Sequence, residues 1–156
     1  MKIEAYCDSS YDEKRKVAGI GIVIKEGEKQ RMLSNWIPCG SNNYGELWAV
    51  YIASILIGDK GVIYTDSECA LAYLDNRINP DRPRTRRQYI EHQNMRVLAY
   101  KVNRLHPNVQ KVKAHTRQMK FLSIGNAMAD LCAKQGRAKC YEVEKNLSVR
   151  PDNTER

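Results

Sequence analysis

The pattern of apolar and polar residues switches repeatedly between a period of two and a period near 3.6, which predicts a mixed α/β chain. Short β-rich runs bounded by glycine, proline or polar residues predict five strands, at residues 2–7, 17–25, 30–37, 62–65 and 109–113. Amphipathic segments behind capping residues predict four helices, at about residues 44–57, 67–75, 88–105 and 124–136. The first three strands follow one another without a helix, so we expect an antiparallel meander.

Two of the predicted strands lead directly into an aspartate. The first is expected to end at Asp8, with residues 9–12 turning the chain, and the fourth ends at Asp66. A helix lies between these strands, and such a crossover normally joins parallel strands, whose carboxyl ends then lie side by side. Ligands of open α/β sheets bind at that edge. We therefore expect Asp8 and Asp66 to be neighbours.

A third acidic residue, Glu46, lies on the buried side of a predicted helix. It shares one helical stripe with Val50, Ala53 and Ile57, at spacings of four, three and four residues. A surface glutamate would normally avoid that stripe. The pattern therefore predicts a buried carboxylate.

Positive charge is concentrated in one part of the chain. The net charge is +8, and residues 77–120 hold twelve Lys and Arg against two acidic residues, whereas the rest holds 14 basic and 16 acidic residues. A basic stretch alone is more often a solvated surface than a binding face. Carboxylates that bind divalent cations beside a cationic surface, however, suit a phosphate backbone and indicate a nuclease.

Cysteine usage and hydropathy indicate the compartment. The five cysteines are widely spaced without a C-x-x-C pair, so neither a disulfide framework nor a zinc site is indicated, and a reducing cytoplasm fits best. No stretch approaches the roughly 20 apolar residues of a membrane span. We expect a monomer with one domain at residues 1–140 and a flexible C-terminal tail at 141–156.

Five short motifs occur in the order and on the elements of a known family. Together YCDSS, SNNYGELWA, YTDSE, VKAH and GNAMADLCA resemble the type 1 ribonuclease H family over about residues 1–137. The resemblance implies a five-stranded mixed sheet of order 3-2-1-4-5, with strand 2 antiparallel and helices on both faces. It also implies an endonuclease that hydrolyses the RNA strand of RNA–DNA hybrids and leaves 5′-phosphate and 3′-hydroxyl ends.

Matched position by position, the resemblance assigns catalytic, metal-binding carboxylates to Asp8, Glu46, Asp66 and Asp130. His115 matches the family's mobile-loop histidine, which we expect to orient water or ease product release. Substrate contacts are expected at Ser10, Asn42, Asn43, Lys113 and Asn126. Of these, the asparagine pair matches residues that contact the RNA strand, where amides can sense the 2′-hydroxyl. The expected cofactor is a pair of Mg²⁺ ions about 4 Å apart, for which Mn²⁺ can substitute.

The four carboxylates and the asparagine pair also have ordinary structural explanations. Asp8 suits a turn, Asp66 and the asparagines suit helix caps, Glu46 suits a first helical turn, and Asp130 suits a solvent-facing position. Their joint occurrence favours the site. The chain departs from the family pattern at Ser9 and Ala114, where glycine is usual, and in the basic loop 77–87, which is a short substitute for the family's basic protrusion.

Two alternative functions stay open. One is a non-catalytic hybrid-binding module of a replication or reverse-transcription assembly. The other is a nuclease of the same fold that acts on DNA, such as a junction resolvase. A pure binding module gains nothing from four carboxylates that repel phosphates, so an enzyme is favoured.

Overall fold

β-Branched runs at residues 17–26 and 61–65 form two of the strands, and amphipathic segments form the helices, largely as their patterns predict. The computed structural model describes the backbone of residues 2–112 and 120–148, and their side chains except those of 120–123. The strands in these ranges are β1 (Ile3–Asp12), β2 (Val17–Glu26), β3 (Lys29–Pro38), β4 (Gly61–Thr65) and β5 (Asn108–Lys111). The helices are α1 (Asn42–Ile57), α2 (Glu68–Leu74), α3 (Arg86–Asn103) and α4 (Lys120–Ser148). None of these helices is both long and apolar enough to cross a membrane.

The strands form one mixed sheet in the order β3-β2-β1-β4-β5. Strand β2 is antiparallel to both of its neighbours, whereas β4 is parallel to β1 and to β5. Gly27 closes the turn between β2 and β3 with a φ of 60°, a left-handed conformation that glycine adopts without steric cost. The predicted strand order and the antiparallel second strand are confirmed.

The two faces of the sheet bury different cores, because successive side chains of a strand point in opposite directions. On one face, Ala5 and Cys7 of β1 belong to a core that also contains Leu47 of α1 and Met95 of α3. On the other face, Tyr6 packs with residues that include Val23, Tyr64, Ala129 and Cys132, the last two from α4. The expected helices on both faces are therefore present.

Helix α4 approaches the sheet closely where glycines remove side chains from the contact. A β-carbon on Gly21 of β2 would lie 2.0 Å from the carbonyl oxygen of Ala129. Similarly, a β-carbon on Gly136 of α4 would lie 2.0 Å from the carbonyl oxygen of Asn35 in β3. Since no side chain fits at either point, these contacts determine where α4 lies on the sheet.

The predicted end of the first strand is wrong. Asp8 lies inside β1, because residues 9–12 continue the antiparallel ladder with β2 as far as the pair Asp12–Val17. The turn that was expected at residues 9–12 occupies residues 13–16 instead. Polar side chains suggested a turn there, but backbone pairing with the neighbouring strand outweighs that local preference.

The last helix is also longer than predicted, since α4 does not stop near Gly136 but continues to Ser148. Beyond that glycine, the Tyr141 hydroxyl donates a hydrogen bond to Asp12 (2.5 Å), and Arg15 pairs with Glu144 (3.0 Å). These contacts hold the helix against the β1–β2 hairpin, so the first part of the expected flexible tail is helical. The domain boundary at residue 140 stays a prediction, and residues 149–156 lie outside the described chain.

The contact at Gly136 leads to a test of the packing of α4. Gly136→Ala is expected to destabilise the protein by about 1–3 kcal/mol, because the new β-carbon would meet the backbone of Asn35. Helix propensity alone would predict the opposite, a gain of about 1 kcal/mol. Urea denaturation measures the difference.

The matched control is Gly40→Ala, because a β-carbon at Gly40 would meet nothing within 4 Å. Its stability should stay within about 0.5 kcal/mol of the wild type. If Gly136→Ala were as stable as this control, the close contact between α4 and β3 would be disproved.

Candidate active site

Asp8 and Asp66 lie at matching points of two parallel strands. The parallel ladder of β1 and β4 ends at the pair Tyr6–Tyr64, and each aspartate lies two residues beyond it. The two aspartates therefore lie beyond the same end of the parallel ladder that joins these strands. Although the predicted strand end at Asp8 was wrong, the expected juxtaposition with Asp66 is found.

Glu46 reaches this point because α1 packs tightly on β1. A β-carbon on Gly45 would lie 2.8 Å from the Ser9 hydroxyl oxygen and 3.0 Å from the β-carbon of Ala18, so only glycine permits this approach. Glu46 follows directly in sequence and is 9% exposed, and Val50 further along its stripe is fully buried. The predicted burial of the Glu46 stripe is thus observed.

Asp8, Glu46 and Asp66 form an acidic trio at the edge of the sheet. One carboxylate oxygen of each lies within 4.8 Å of those of the other two. Asp8 and Glu46 are buried, whereas Asp66 is exposed. No Lys or Arg in the described ranges forms an ion pair with the trio. The Glu46 Oε2 atom is buried without a hydrogen-bond partner among the described residues.

The chemistry of this trio fits a hard divalent cation. Three carboxylates offer oxygen ligands of the kind that Mg²⁺ and Mn²⁺ prefer. Burial raises the pKa of Glu46 to about 9, and repulsion by Asp8 and Asp66 adds to the effect. For the same reasons, burial first and then the charge of Asp66, the pKa of Asp8 rises to about 7. Both shifts reflect the burial of negative charge that has no cationic counterpart, which bound metal would supply.

Asp130 is the predicted carboxylate that does not join the trio. Its Oδ2 accepts a hydrogen bond from the Lys134 ammonium group one helical turn later, at 2.8 Å. Helix α4 nevertheless carries Asp130 towards Asp8, since the carbonyl oxygen of the preceding residue, Ala129, lies against Gly21, which pairs with Asp8, and the charge of Asp130 adds to the raised pKa of Asp8. The structure thus gathers three of the four acidic residues, with the fourth close by in an ion pair.

The predicted substrate-binding residues that the structure describes lie on β1, α1 and α4, the elements that also carry Asp8, Glu46 and Asp130. Ser41 caps α1 by accepting a hydrogen bond from the backbone of Tyr44 (3.2 Å), so capping does not account for the exposed side chains of Asn42 and Asn43. Ser10 follows the first aspartate in β1 and is half-buried. Asn126 is half-buried and lies one helical turn before Asp130. Its Oδ1 atom is buried and has no hydrogen-bond partner in the described residues. His115 and Lys113 lie outside the described residues.

A cavity beside Asn43 was not predicted from the sequence. It has a volume of about 240 Å³ and is lined in part by Arg82, Arg84 and His92. Arg84 donates hydrogen bonds to backbone carbonyls of its own loop, including that of Asn79 at 3.0 Å. His92 is buried in α3, with its Nδ1 2.9 Å from the Tyr73 hydroxyl oxygen. In the sequence, only the arginine-rich composition of loop 77–87 indicated that basic side chains could line such a cavity.

Comparison with known proteins identifies the family. Residues 1–138 match the RNase H family. The chain belongs to the RNase H family. The family match confirms the expected resemblance. It also confirms that this protein is an enzyme, a hydrolase of the ribonuclease H class. Among curated proteins, no sequence matches this RNase H chain.

Solved structures share the RNase H fold with this chain. RNase H1 from the halophilic archaeon Halobacterium salinarum NRC-1 is 16% identical with a TM-score of 0.66, and the match covers 89% of this chain and 99% of that one. LC11-RNase H1, isolated from compost by a metagenomic approach, is 22% identical with a TM-score of 0.60, over 90% and 98% of the two chains. LC11-RNase H1 in complex with RNA/DNA hybrid is 21% identical with a TM-score of 0.58, over 90% and 99%.

The raised pKa of Glu46 predicts how charge in the trio affects folding. A glutamate ionises near pH 4.3 in an unfolded chain, whereas the pKa of Glu46 is about 9 in the folded protein. The contribution of such a group to the free energy of unfolding is fully present below the pKa of the unfolded state, and it is lost as the pH rises through the pKa of the folded state. Glu46→Gln should therefore stabilise the metal-free protein by roughly 1–3 kcal/mol at pH 8, with little effect at pH 4.

Thermal denaturation in EDTA at both pH values measures this difference. Glu28→Gln, in the exposed β2–β3 turn, is the matched control and should change stability by less than about 0.5 kcal/mol at either pH. Destabilisation by Glu46→Gln at pH 8 would contradict uncompensated repulsion within the trio.

Proposed function

We propose that this protein is an endoribonuclease that hydrolyses the RNA strand of RNA–DNA hybrids with two divalent metal ions. Its products would carry 5′-phosphate and 3′-hydroxyl ends. The observation that carries this proposal is the acidic trio at the sheet edge of an RNase H family member. The fold similarity to LC11-RNase H1, whose structure in complex with RNA/DNA hybrid is known, supports the choice of substrate.

All four predicted carboxylates would take part in metal binding. Asp8 and Asp66 would contact both ions, with Glu46 and Asp130 each completing one of the two sites. Bound Mg²⁺ or Mn²⁺ would lower the pKa of a water, neutralise charge on the phosphate and stabilise the departing sugar oxygen. The chain contributes rigidity and burial, which leave Glu46 Oε2 without a protein donor and thus available as an acceptor.

Recognition of the hybrid would use amides for the RNA strand and cations for the phosphates. Asn42 and Asn43 present donors and acceptors at the exposed first turn of α1, which suits a 2′-hydroxyl. Ser10, Lys113 and Asn126 are the other proposed contacts. The basic residues of 77–120, including Arg82 beside Asn43, would attract the phosphate backbone without reading its sequence. We expect a monomeric, cytoplasmic enzyme.

Cleavage assays separate this proposal from its two rivals. Labelled RNA–DNA hybrid, duplex RNA and branched DNA are incubated side by side, with and without Mg²⁺. We expect metal-dependent cleavage of the hybrid alone. Hybrid binding without cleavage would indicate a binding module, and cleavage of branched DNA would indicate a DNA nuclease.

Removing the charge of Asp66 should abolish catalysis. Asp66→Asn keeps the size of the side chain but weakens a ligand shared by both proposed metal ions, so we expect a loss of at least about 10²-fold in cleavage rate. Hybrid binding should survive, as measured by fluorescence anisotropy. Asp59→Asn, an exposed aspartate before the opposite end of β4, is the control and should cleave normally. Retained turnover in Asp66→Asn would refute the assignment.

His115 provides a second test. If it orients water or eases product release, His115→Ala should slow turnover severalfold or more without removing metal binding. The control is His106→Asn, because asparagine tolerates the left-handed backbone found at that position, where φ is 51°. Steady-state kinetics and Mn²⁺ calorimetry measure the two effects, and unchanged turnover would mean that His115 is an ordinary surface residue.

A further inference from the structure

We propose that Lys134 is a positioning residue that holds Asp130 when metal is absent and must be exchanged for the incoming divalent cation. This inference rests on the proposed function, because it concerns how the fourth carboxylate enters the metal site. Lys134 would thereby set the cation concentration at which that carboxylate becomes available.

The geometry of α4 supports this role. Lys134 follows Asp130 by four residues, so both side chains lie on one face of the helix, and Nζ lies 2.8 Å from Oδ2. By contrast, the trio of Asp8, Glu46 and Asp66 has no such partner in the described ranges. Asp130 is therefore the one predicted metal ligand that a described cationic side chain already engages.

The backbone near Asp130 cannot move freely to avoid this competition. Gly21, which pairs directly with Asp8, has no room for a β-carbon because the carbonyl oxygen of Ala129 and the backbone nitrogen of Ala133 would lie 2.0 and 2.4 Å away. Helix α4 thus crosses the sheet beside the first aspartate in a fixed position. Access of Asp130 to a cation then depends on side-chain rotation, and rotation away from Lys134 breaks the ion pair.

The pair is weak enough to be displaced. Its side chains are 59% and 40% exposed, and ion pairs at this exposure contribute little to stability. A divalent cation held by several carboxylates should therefore replace the ammonium group easily. The expected effect of the lysine on cation affinity is correspondingly small, about two- to fivefold.

Calorimetric titration with Mn²⁺ alone, without nucleic acid, tests the exchange. Lys134→Gln should bind Mn²⁺ about two- to fivefold more tightly than the wild type, since Asp130 no longer has a competing partner. Lys134→Arg retains the charge and should bind like the wild type. Lys145→Gln, near the end of the same helix, controls for loss of a positive charge elsewhere and should leave the affinity unchanged.

A second pair of variants separates a direct exchange from a general electrostatic effect. If the lysine acts through Asp130, Asp130→Asn and the double variant Asp130→Asn/Lys134→Gln should not differ in Mn²⁺ affinity. A gain that persists in the double variant, or equal affinity of Lys134→Gln and the wild type, overturns the inference. The calorimetry measures Mn²⁺ binding and not cleavage. A wild type that binds Mn²⁺ but does not cleave the hybrid would therefore refute the proposed function and leave the exchange of Lys134 for metal unaffected.

Discussion

Mutual repulsion among the carboxylates of the acidic trio is the constraint that the packing of this molecule must overcome. Asp8, Glu46 and Asp66 bring oxygens within 4.8 Å of one another just beyond the point where the parallel ladder of β1 and β4 ends. Such an arrangement opposes folding unless protons or cations neutralise it. The described chain offers the trio no basic partner, so the fold itself must keep these groups together.

Close packing of helices on the sheet provides that restraint. Gly45 brings α1 onto β1, and Gly21 brings α4 onto β2, in each case at a residue that neighbours or pairs with a member of the trio. The Gly21 contact joins two backbones, and the Gly45 contact meets only the short side chains of Ser9 and Ala18, so neither leaves the room for relaxation that long side chains would leave. Rigid elements, more than hydrogen bonds, therefore hold the carboxylates in place, as preorganised sites require.

Much of this arrangement could be predicted from sequence because it follows local periodicity. The helical stripe of Glu46 and the crossover between the strands of Asp8 and Asp66 needed only spacing and element order, and the family resemblance supplied the sheet order. Non-local pairing was beyond such reasoning. Residues 9–12 extend a strand because β2 lies opposite them, and Gly136 lies inside a helix, at a point where no β-carbon fits against Asn35 of a distant strand. The spacing of four residues between Asp130 and Lys134 is enough to predict an ion pair on a helix. Its effect on metal binding, however, depends on where the trio lies.

The continuation of α4 past the family match has a practical consequence for dissecting this protein. Similarity to the RNase H family stops at residue 138, in the middle of an unbroken helix. A truncation guided by homology would remove Tyr141 and Glu144, the partners of Asp12 and Arg15 at the tip of the first hairpin. That hairpin includes the strand of Asp8. The family match and the helix therefore end at different residues, and a chain cut at residue 138 would lack both of these contacts between α4 and the hairpin.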